Sequence, residues 1–136
     1  MVITKSDEIV VEWLERERVR GYFRFSGISD TEFAREYFCA PWEVQDYLGR
    51  YVGRAMVREL GVPGKNIMKA ELLPVDDDSA MLSFKAKGVG LVTAMQVADK
   101  LERLRKEFHE SREKAANYMQ EVFDKIKVKK WAKKGG

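Results

Sequence analysis

A seam of small and apolar residues between positions 97 and 122 constrains the fold of this chain more than any other feature. Its members are separated alternately by four and three positions, with Ser111 in the middle, and charged residues fill most places between them. This spacing is typical of a coiled coil, in which a helix buries its seam against another helix. The residues expected at such an interface are Val97, Leu101, Leu104, Phe108, Ala115, Tyr118 and Val122.

The seam predicts one uninterrupted helix over residues 89–127, which would be about 60 Å long at 1.5 Å per residue. Such a helix is longer than the preceding domain needs to cover its own core, so its apolar stripe must be buried elsewhere. The same helix of a second subunit is the simplest partner, which predicts a homodimer. The alternative is a helix folded back on its own domain, because a stripe shows only that a face is covered.

The segment AREYFCAPWEVQDYL, residues 34–48, has the spacing of a helix-turn-helix. In this motif the first helix carries a small residue where the second crosses it, and the second buries one apolar residue per turn. Ala34 supplies the small residue, Cys39 is expected to be buried in the turn, and Val44 and Leu48 follow at buried positions of the second helix. Two ordinary packed core helices are the alternative interpretation.

Two glycines, Gly49 and Gly53, stand inside this second helix. Each destabilises a helix by about 1 kcal/mol relative to alanine. They indicate either a break after Leu48 or a surface where another backbone comes close.

The flanking sequence predicts an α+β fold that is mostly helical. Apolar residues at helical spacing predict a helix over residues 7–18, and aromatic residues predict a short strand over 22–25. Strict alternation of apolar and polar residues over 67–75 and 80–87, around the turn at 76–79, predicts a hairpin with one buried face.

With these elements, residues 7–88 resemble the winged-helix DNA-binding family, and the layout is similar to PadR-type repressors and to small archaeal coiled-coil winged-helix chromatin proteins. We therefore expect a winged-helix domain over 1–88, a dimerisation helix over 89–127 and a basic, disordered tail over 128–136. The resemblance implies a transcriptional regulator or architectural protein that binds double-stranded DNA. The dimer would present two reading helices at half-sites about 34 Å apart, or a multiple of that distance.

The second helix of the motif would then enter the DNA groove. Gln45 suits adenine, and three arginines on the outward face suit the phosphate backbone, whereas Glu43 and Asp46 would repel phosphates. The exposed hairpin face adds three lysines. The candidate DNA contacts of the domain are Trp42, Gln45, Arg50, Arg54, Arg58, Lys69, Lys85 and Lys87.

The end of the chain is strongly basic. The whole chain has a net charge of +3. Six of its lysines lie in the last twelve residues, which contain no acid, so the first 124 residues have a net charge of −3. A basic tail that contains Trp131 predicts a phosphate-binding arm, and a solvated end without a ligand is the alternative. The lysines are Lys125, Lys127, Lys129, Lys130, Lys133 and Lys134.

The sequence contains no recognisable catalytic constellation, so we expect neither an enzyme nor a cofactor or metal site. His109 is the only histidine and lies on the flank of the seam. The alternative function is a protein-interaction module whose acidic exposed face binds a basic partner, with the tail giving only non-specific contact with nucleic acid.

The composition and the first residues of the chain predict its cellular location and the kind of organism it comes from. No run of about eighteen apolar residues suits a membrane span, and residues 1–5 lack the apolar segment of a signal peptide, which predicts a cytoplasmic protein. The charged fraction of 35% is typical of a thermophile, such as an archaeon.

Overall fold

The computed structural model describes the backbone of residues 1–135 and the side chains of residues 1–127. Within them the chain has an α+β fold, as predicted, with one antiparallel sheet of strand order β1-β2-β3-β5-β4. The strands are β1 (Val2–Lys5), β2 (Ile9–Leu14), β3 (Arg18–Ser26), β4 (Ile67–Pro74) and β5 (Ser79–Ala86). The helices are α1 (Glu32–Cys39), α2 (Trp42–Glu59), α3 (Leu91–Glu110) and α4 (Arg112–Gly135).

The helix pair and the hairpin lie where the sequence predicts them, as α1–α2 and β4–β5. Thr31 caps α1, because its Oγ1 accepts a hydrogen bond from the backbone N–H of Ala34 at 2.9 Å. Ala34 is buried as expected. The expectation that Cys39 is buried is wrong, since this last residue of α1 is exposed.

The predicted helix over 7–18 is wrong, because these residues form β2 and the beginning of β3. The run Ile9-Val10-Val11 is β-branched and favours a strand, and this preference prevails over the helical spacing of the apolar residues. β1, β2 and β3 form an antiparallel meander in place of the first helix that the resemblance implies. A winged-helix fold is therefore not confirmed.

The predicted single helix over 89–127 is also wrong, because it is broken at Ser111. The backbone of Ser111 is extended, with φ −157° and ψ 125°, and serine is among the residues that favour the start of a helix. After the break, α4 lies against α1, α2 and α3. The chain therefore folds back on its own domain.

The seam residues consequently pack inside their own chain. Val97, Leu101, Ala115 and Val122 are buried in the core of the monomer. Leu104, Phe108 and Tyr118 are partly buried against that core. Residues 97–122 do not form an open coiled-coil seam, because the monomer already covers the stripe that predicted one.

The two glycines of α2 allow this helix to approach β4 closely. A Cβ atom on Gly49 would lie 2.4 Å from the backbone oxygen of Leu72, and one on Gly53 would lie 2.8 Å from the backbone of Glu71. The helix runs unbroken from Trp42 to Glu59, so the second of the two predicted explanations is confirmed. On β4, Tyr37 of α1 also donates a hydrogen bond from its hydroxyl to the oxygen of Leu72 at 2.7 Å.

Asp78 joins the β4–β5 turn to the start of α4. Its two carboxylate oxygens accept hydrogen bonds from the two guanidinium nitrogens of Arg112, both at 3.0 Å. They also accept from the backbone N–H groups of Gly27 at 3.2 Å and Ser29 at 3.0 Å. Partial burial by itself would raise the pKa of Asp78, but the hydrogen bonds from Arg112 and Ser29 outweigh it and lower the pKa to about 2.

We expect Asp78→Asn to lower the free energy of unfolding by about 2 kcal/mol at neutral pH, because it removes a paired, hydrogen-bonded charge. Since the folded-state pKa is below the ordinary value of 3.8, the contribution of Asp78 is complete above pH 4 and is lost as the pH falls toward 2. Urea unfolding of both proteins at several pH values measures this difference. Asp77→Asn, at the exposed neighbouring position, is the control, and a difference that stays constant from pH 7 to pH 2 would contradict the prediction.

Candidate functional site

Among the residues that the structure describes, one face of the sheet is covered by helices and the other is open to solvent. α2 lies on β4, and α3 lies against β1, β2 and β3. Along β3, residues alternate strictly between the two faces, with Val19, Gly21, Phe23 and Phe25 buried under the helices. The remaining β3 residues lie on the opposite face, which we call the open face, and the residues exposed there include Arg18, Arg20, Tyr22 and Arg24.

The open face is strongly basic. The strand register places six cationic and two acidic side chains on it within the described sheet. The acids are Glu12 and Glu71. The cations are Lys5, Arg18, Arg20, Arg24, Lys69 and Lys85, and the exposed Lys87 directly follows the end of β5. A surface with this excess of positive charge attracts polyanions.

Three of the cations stand in one row across the strands. Arg20 on β3 is directly opposite Lys85 on β5, and Lys85 is directly opposite Lys69 on β4. Like charges in this arrangement destabilise a sheet. Glu12 pairs with Arg20 at 3.2 Å and Glu71 with Lys69 at 3.3 Å. Among the described side chains, no carboxylate lies within ion-pair distance of Lys85, so a bound anion would relieve the repulsion at the centre of the row.

Tyr22 lies near the middle of the open face. It stands between Val10 on β2 and Ser83 on β5, and 39% of the residue is exposed. Arg20 and Arg24 flank it along β3, each about 7 Å away at the spacing of alternate strand residues. An aromatic ring among cations provides a stacking surface for a base together with contacts for the adjoining phosphates.

Sequence reasoning found only part of this face. Lys69, Lys85 and Lys87 were expected on the exposed face of the hairpin, and the structure places Lys69 and Lys85 there, whereas Lys87 is exposed just beyond the end of β5. Arg18, Arg20, Tyr22 and Arg24 were missed. The signal for them is the alternation in RVRGYFRFS, which begins four residues before the short strand that the aromatic residues predict.

The predicted DNA contacts on α2 lie away from the open face, because α2 packs on the covered side of the sheet. Three of them, Gln45, Arg50 and Arg54, have a partner within the chain. Gln45 donates to the backbone oxygen of Tyr37 at 3.2 Å, and Arg54 donates to the oxygen of Gly64 at 2.7 Å. Arg50 pairs with Asp46 at 3.1 Å. Trp42, which is 72% exposed, and Arg58 project into solvent.

The two described lysines at the end of the chain also pair with acids. Lys125 lies 2.8 Å from Glu59 of α2, and Lys127 lies 2.6 Å from Glu32 of α1. Both pairs are at the surface, where they contribute little to stability. The side chains of Lys129, Lys130, Trp131, Lys133 and Lys134 lie outside the described residues, so their contacts with phosphate remain predictions.

Metal-binding groups and membrane-spanning helices are both absent from the described residues. No group of three or more histidine, cysteine or acidic side chains is arranged to hold a metal ion within that part of the chain. His109 is exposed, and its Nε2 lies 2.7 Å from a carboxylate oxygen of Glu8. None of the described helices combines the length and the apolar character that a membrane crossing requires.

No protein-family model matches this chain, and comparison with curated proteins and with solved structures gives no match either.

Proposed function

We propose that this protein binds single-stranded nucleic acid on the open face of its sheet. The observation that carries the proposal is the row of opposed cations, Arg20, Lys85 and Lys69, beside the exposed ring of Tyr22. Phosphates would satisfy the cations, and a base would stack on the ring. The role is binding rather than catalysis.

The dimensions of the open face favour a single strand over a duplex. Five strands at about 4.8 Å spacing are about 19 Å wide from β1 to β4, whereas the major groove of B-DNA is about 12 Å wide. The sheet therefore cannot enter the groove as a whole. A single strand lies across such a surface and turns its bases toward it, which gives Tyr22 access to a base.

The first test is the salt dependence of binding. Four cations of the open face, Lys5, Arg18, Arg24 and Lys85, and the adjoining Lys87 have no ion-pair partner among the described side chains. If all five contact phosphates, the logarithm of the affinity should fall with the logarithm of the salt concentration with a slope of about −3.5. Replacing Arg18, Arg24 and Lys85 together with glutamine should weaken binding by about tenfold or more and make the slope shallower by about 2. Fluorescence anisotropy with labelled oligothymidylate and oligouridylate measures both quantities.

The control for this variant is replacement of Arg50, Arg54 and Arg58 on α2 with glutamine, which removes the same number of charges from the covered side of the sheet. We expect its affinity and salt slope to stay near those of the unmodified chain. The proposal is contradicted if the two triple variants behave alike, or if the unmodified chain does not bind either oligonucleotide at low salt.

A second prediction isolates stacking from charge. Tyr22→Ala should weaken binding by about 5-fold to 150-fold, since one base stacked on an aromatic ring contributes about 1–3 kcal/mol. Tyr22→Phe keeps the ring and should bind within about twofold of the unmodified chain. Neither change should alter the salt slope, because no charge is removed. An alanine variant that binds as tightly as the phenylalanine variant would exclude stacking on Tyr22.

A second candidate function keeps double-stranded DNA as the ligand and α2 as the reading helix, in a regulator of transcription of the winged-helix kind. It is favoured by the order α1, α2, β4, β5, in which a helix pair precedes a hairpin, and by the exposure of Trp42 and Arg58. The same measurements distinguish it. A preference for duplex DNA, lost in the α2 triple variant and kept in the open-face variant, would favour this candidate.

A further inference from the structure

α2 has a second apolar face, directed away from the sheet. The buried face of the helix packs on the sheet through residues such as Gly49 and Gly53. On the opposite side, apolar and aromatic residues recur at positions 44, 47, 48, 51 and 55, which is the spacing of one helix face. We call these five residues the outer stripe: Val44, Tyr47, Leu48, Tyr51 and Ala55.

Val44, Tyr47 and Tyr51 of the outer stripe are exposed within the described part of the chain, whereas Leu48 and Ala55 are partly buried against the core of the monomer. Val44 is 52% exposed, although sequence reasoning expected it to be buried, and Tyr47 is 50% exposed. The rings of Tyr47 and Tyr51 lie against each other, with centroids 5.6 Å apart. A helix face that meets solvent is normally polar, so an exposed valine with two adjoining tyrosines indicates an interaction surface.

The charged residues beside the outer stripe favour a second copy of the same chain as its partner. Glu43, Arg54 and Arg58 lie along the same flank of the stripe, with the acid at the N-terminal end of the helix and the two arginines toward its C-terminal end. An antiparallel two-fold pairing brings the N-terminal end of one helix beside the C-terminal end of the other on this flank. Glu43 of each copy would then meet Arg58 of the other.

The apolar and charged residues agree on one register. The position midway between Glu43 and Arg58 falls between residues 50 and 51, and the midpoint of the outer stripe falls between residues 49 and 50. The two centres differ by one residue, or about 1.5 Å along the helix. A single two-fold axis therefore satisfies both the tyrosine contacts and the opposite charges.

We propose that two copies of this chain associate through the outer stripes of their α2 helices, paired antiparallel. This interface is independent of the proposed function, because α2 and the open face lie on opposite sides of the sheet. It also differs from the coiled coil that the seam predicted, whose residues are inside the monomer. In the dimer Arg54 and Arg58 lie at the interface, which leaves α2 unable to enter a DNA groove.

Sedimentation velocity over a wide range of protein concentrations tests the proposal. The unmodified full-length chain should show a concentration-dependent dimer, and Tyr47→Glu combined with Tyr51→Glu should raise its dissociation constant by about tenfold or more. The melting temperature should stay the same in a dilute sample, because both side chains are at the surface. Tyr22→Glu, which adds a charge to the open face instead, should leave the dissociation constant unchanged.

A charge exchange makes the test specific for the antiparallel register. Glu43→Arg alone should weaken the dimer, because it places like charges together, and Glu43→Arg with Arg58→Glu should restore it. A chain that is monomeric at every concentration would overturn the proposal. A dimer that survives the double tyrosine substitution, or one that the charge exchange does not restore, would overturn it as well.

Discussion

Leu101→Ala is expected to lower the free energy of unfolding by about 3 kcal/mol, within the range of about 2–5 kcal/mol for truncating a buried leucine. Leu101 is completely buried and belongs to the hydrophobic core of its own chain. The substitution removes apolar contacts and leaves a cavity inside the monomer. Urea denaturation followed by circular dichroism measures the loss.

The matched control is Met95→Ala on the same helix, because Met95 is half exposed and should change the free energy of unfolding by no more than about 0.5 kcal/mol. Leu101→Ala should also leave the dimer dissociation constant as it is, since the side chain does not reach another copy. If Leu101→Ala instead dissociates a dimer and leaves the folded monomer as stable as before, residues 97–122 are an intermolecular seam after all.

Gly49→Ala and Gly53→Ala are each expected to lower the free energy of unfolding by about 2 kcal/mol. In an exposed helix, replacing glycine with alanine stabilises by about 1 kcal/mol. The sign of the change in unfolding free energy therefore distinguishes a close contact with β4 from an exposed position. The reason is the contact with β4, where a methyl group at either position would overlap the backbone of Leu72 or Glu71. Strand backbone cannot move aside as a flexible side chain does, so α2 must shift away from the sheet.

Gly64→Ala is the control for the two glycines of α2. A Cβ atom at position 64 meets only the side chains of Arg54 and Arg58, at 3.5 Å or more, which is an ordinary contact. Its free energy of unfolding should change by less than about 0.5 kcal/mol. If alanine at position 49 or 53 stabilises the protein, α2 does not lie as close to β4 as the structure places it.

The elements that the sequence predicts correctly are those with a strong local signal. β5 alternates strictly after a turn rich in aspartate, and the apolar residues of α1 and α2 recur at helical spacing. The close approach of α2 to another backbone could also be predicted from the sequence. Gly49 and Gly53 destabilise a helix, and glycine is favoured there only where another backbone comes close. A local pattern does not show which other helix or strand packs against an element.

The errors have the same origin. Ile9, Val10, Trp13 and Leu14 satisfy helical spacing by coincidence, whereas their β-branched neighbours and the pairing with β3 make them a strand. The seam continues in the same spacing through Ser111, although the chain turns there. A stripe predicts burial, and only the tertiary structure shows whether the covering helix belongs to the same chain.

Only part of the candidate site could be predicted from the sequence, for a related reason. Lys69 and Lys85 belong to a hairpin that local alternation predicts, and Lys87 directly follows its second strand. Their neighbours across the sheet, Arg20 and Tyr22, lie more than forty positions earlier in the chain, and their proximity depends on the pairing of β3 with β5. That pairing joins residues distant in sequence, so spacing along the chain carries no record of it.

The most direct test of nucleic-acid binding by the open face is a two-dimensional amide NMR titration of the full chain with oligothymidylate and, separately, with a duplex of the same length. We expect the single strand to shift the amide signals of Arg20, Tyr22, Ser83 and Lys85 on the open face, while those of Gln45 and Arg54 on α2 stay in place. Shifts concentrated on α2, or a titration that leaves the signals of β3 and β5 unchanged, would contradict nucleic-acid binding by the open face.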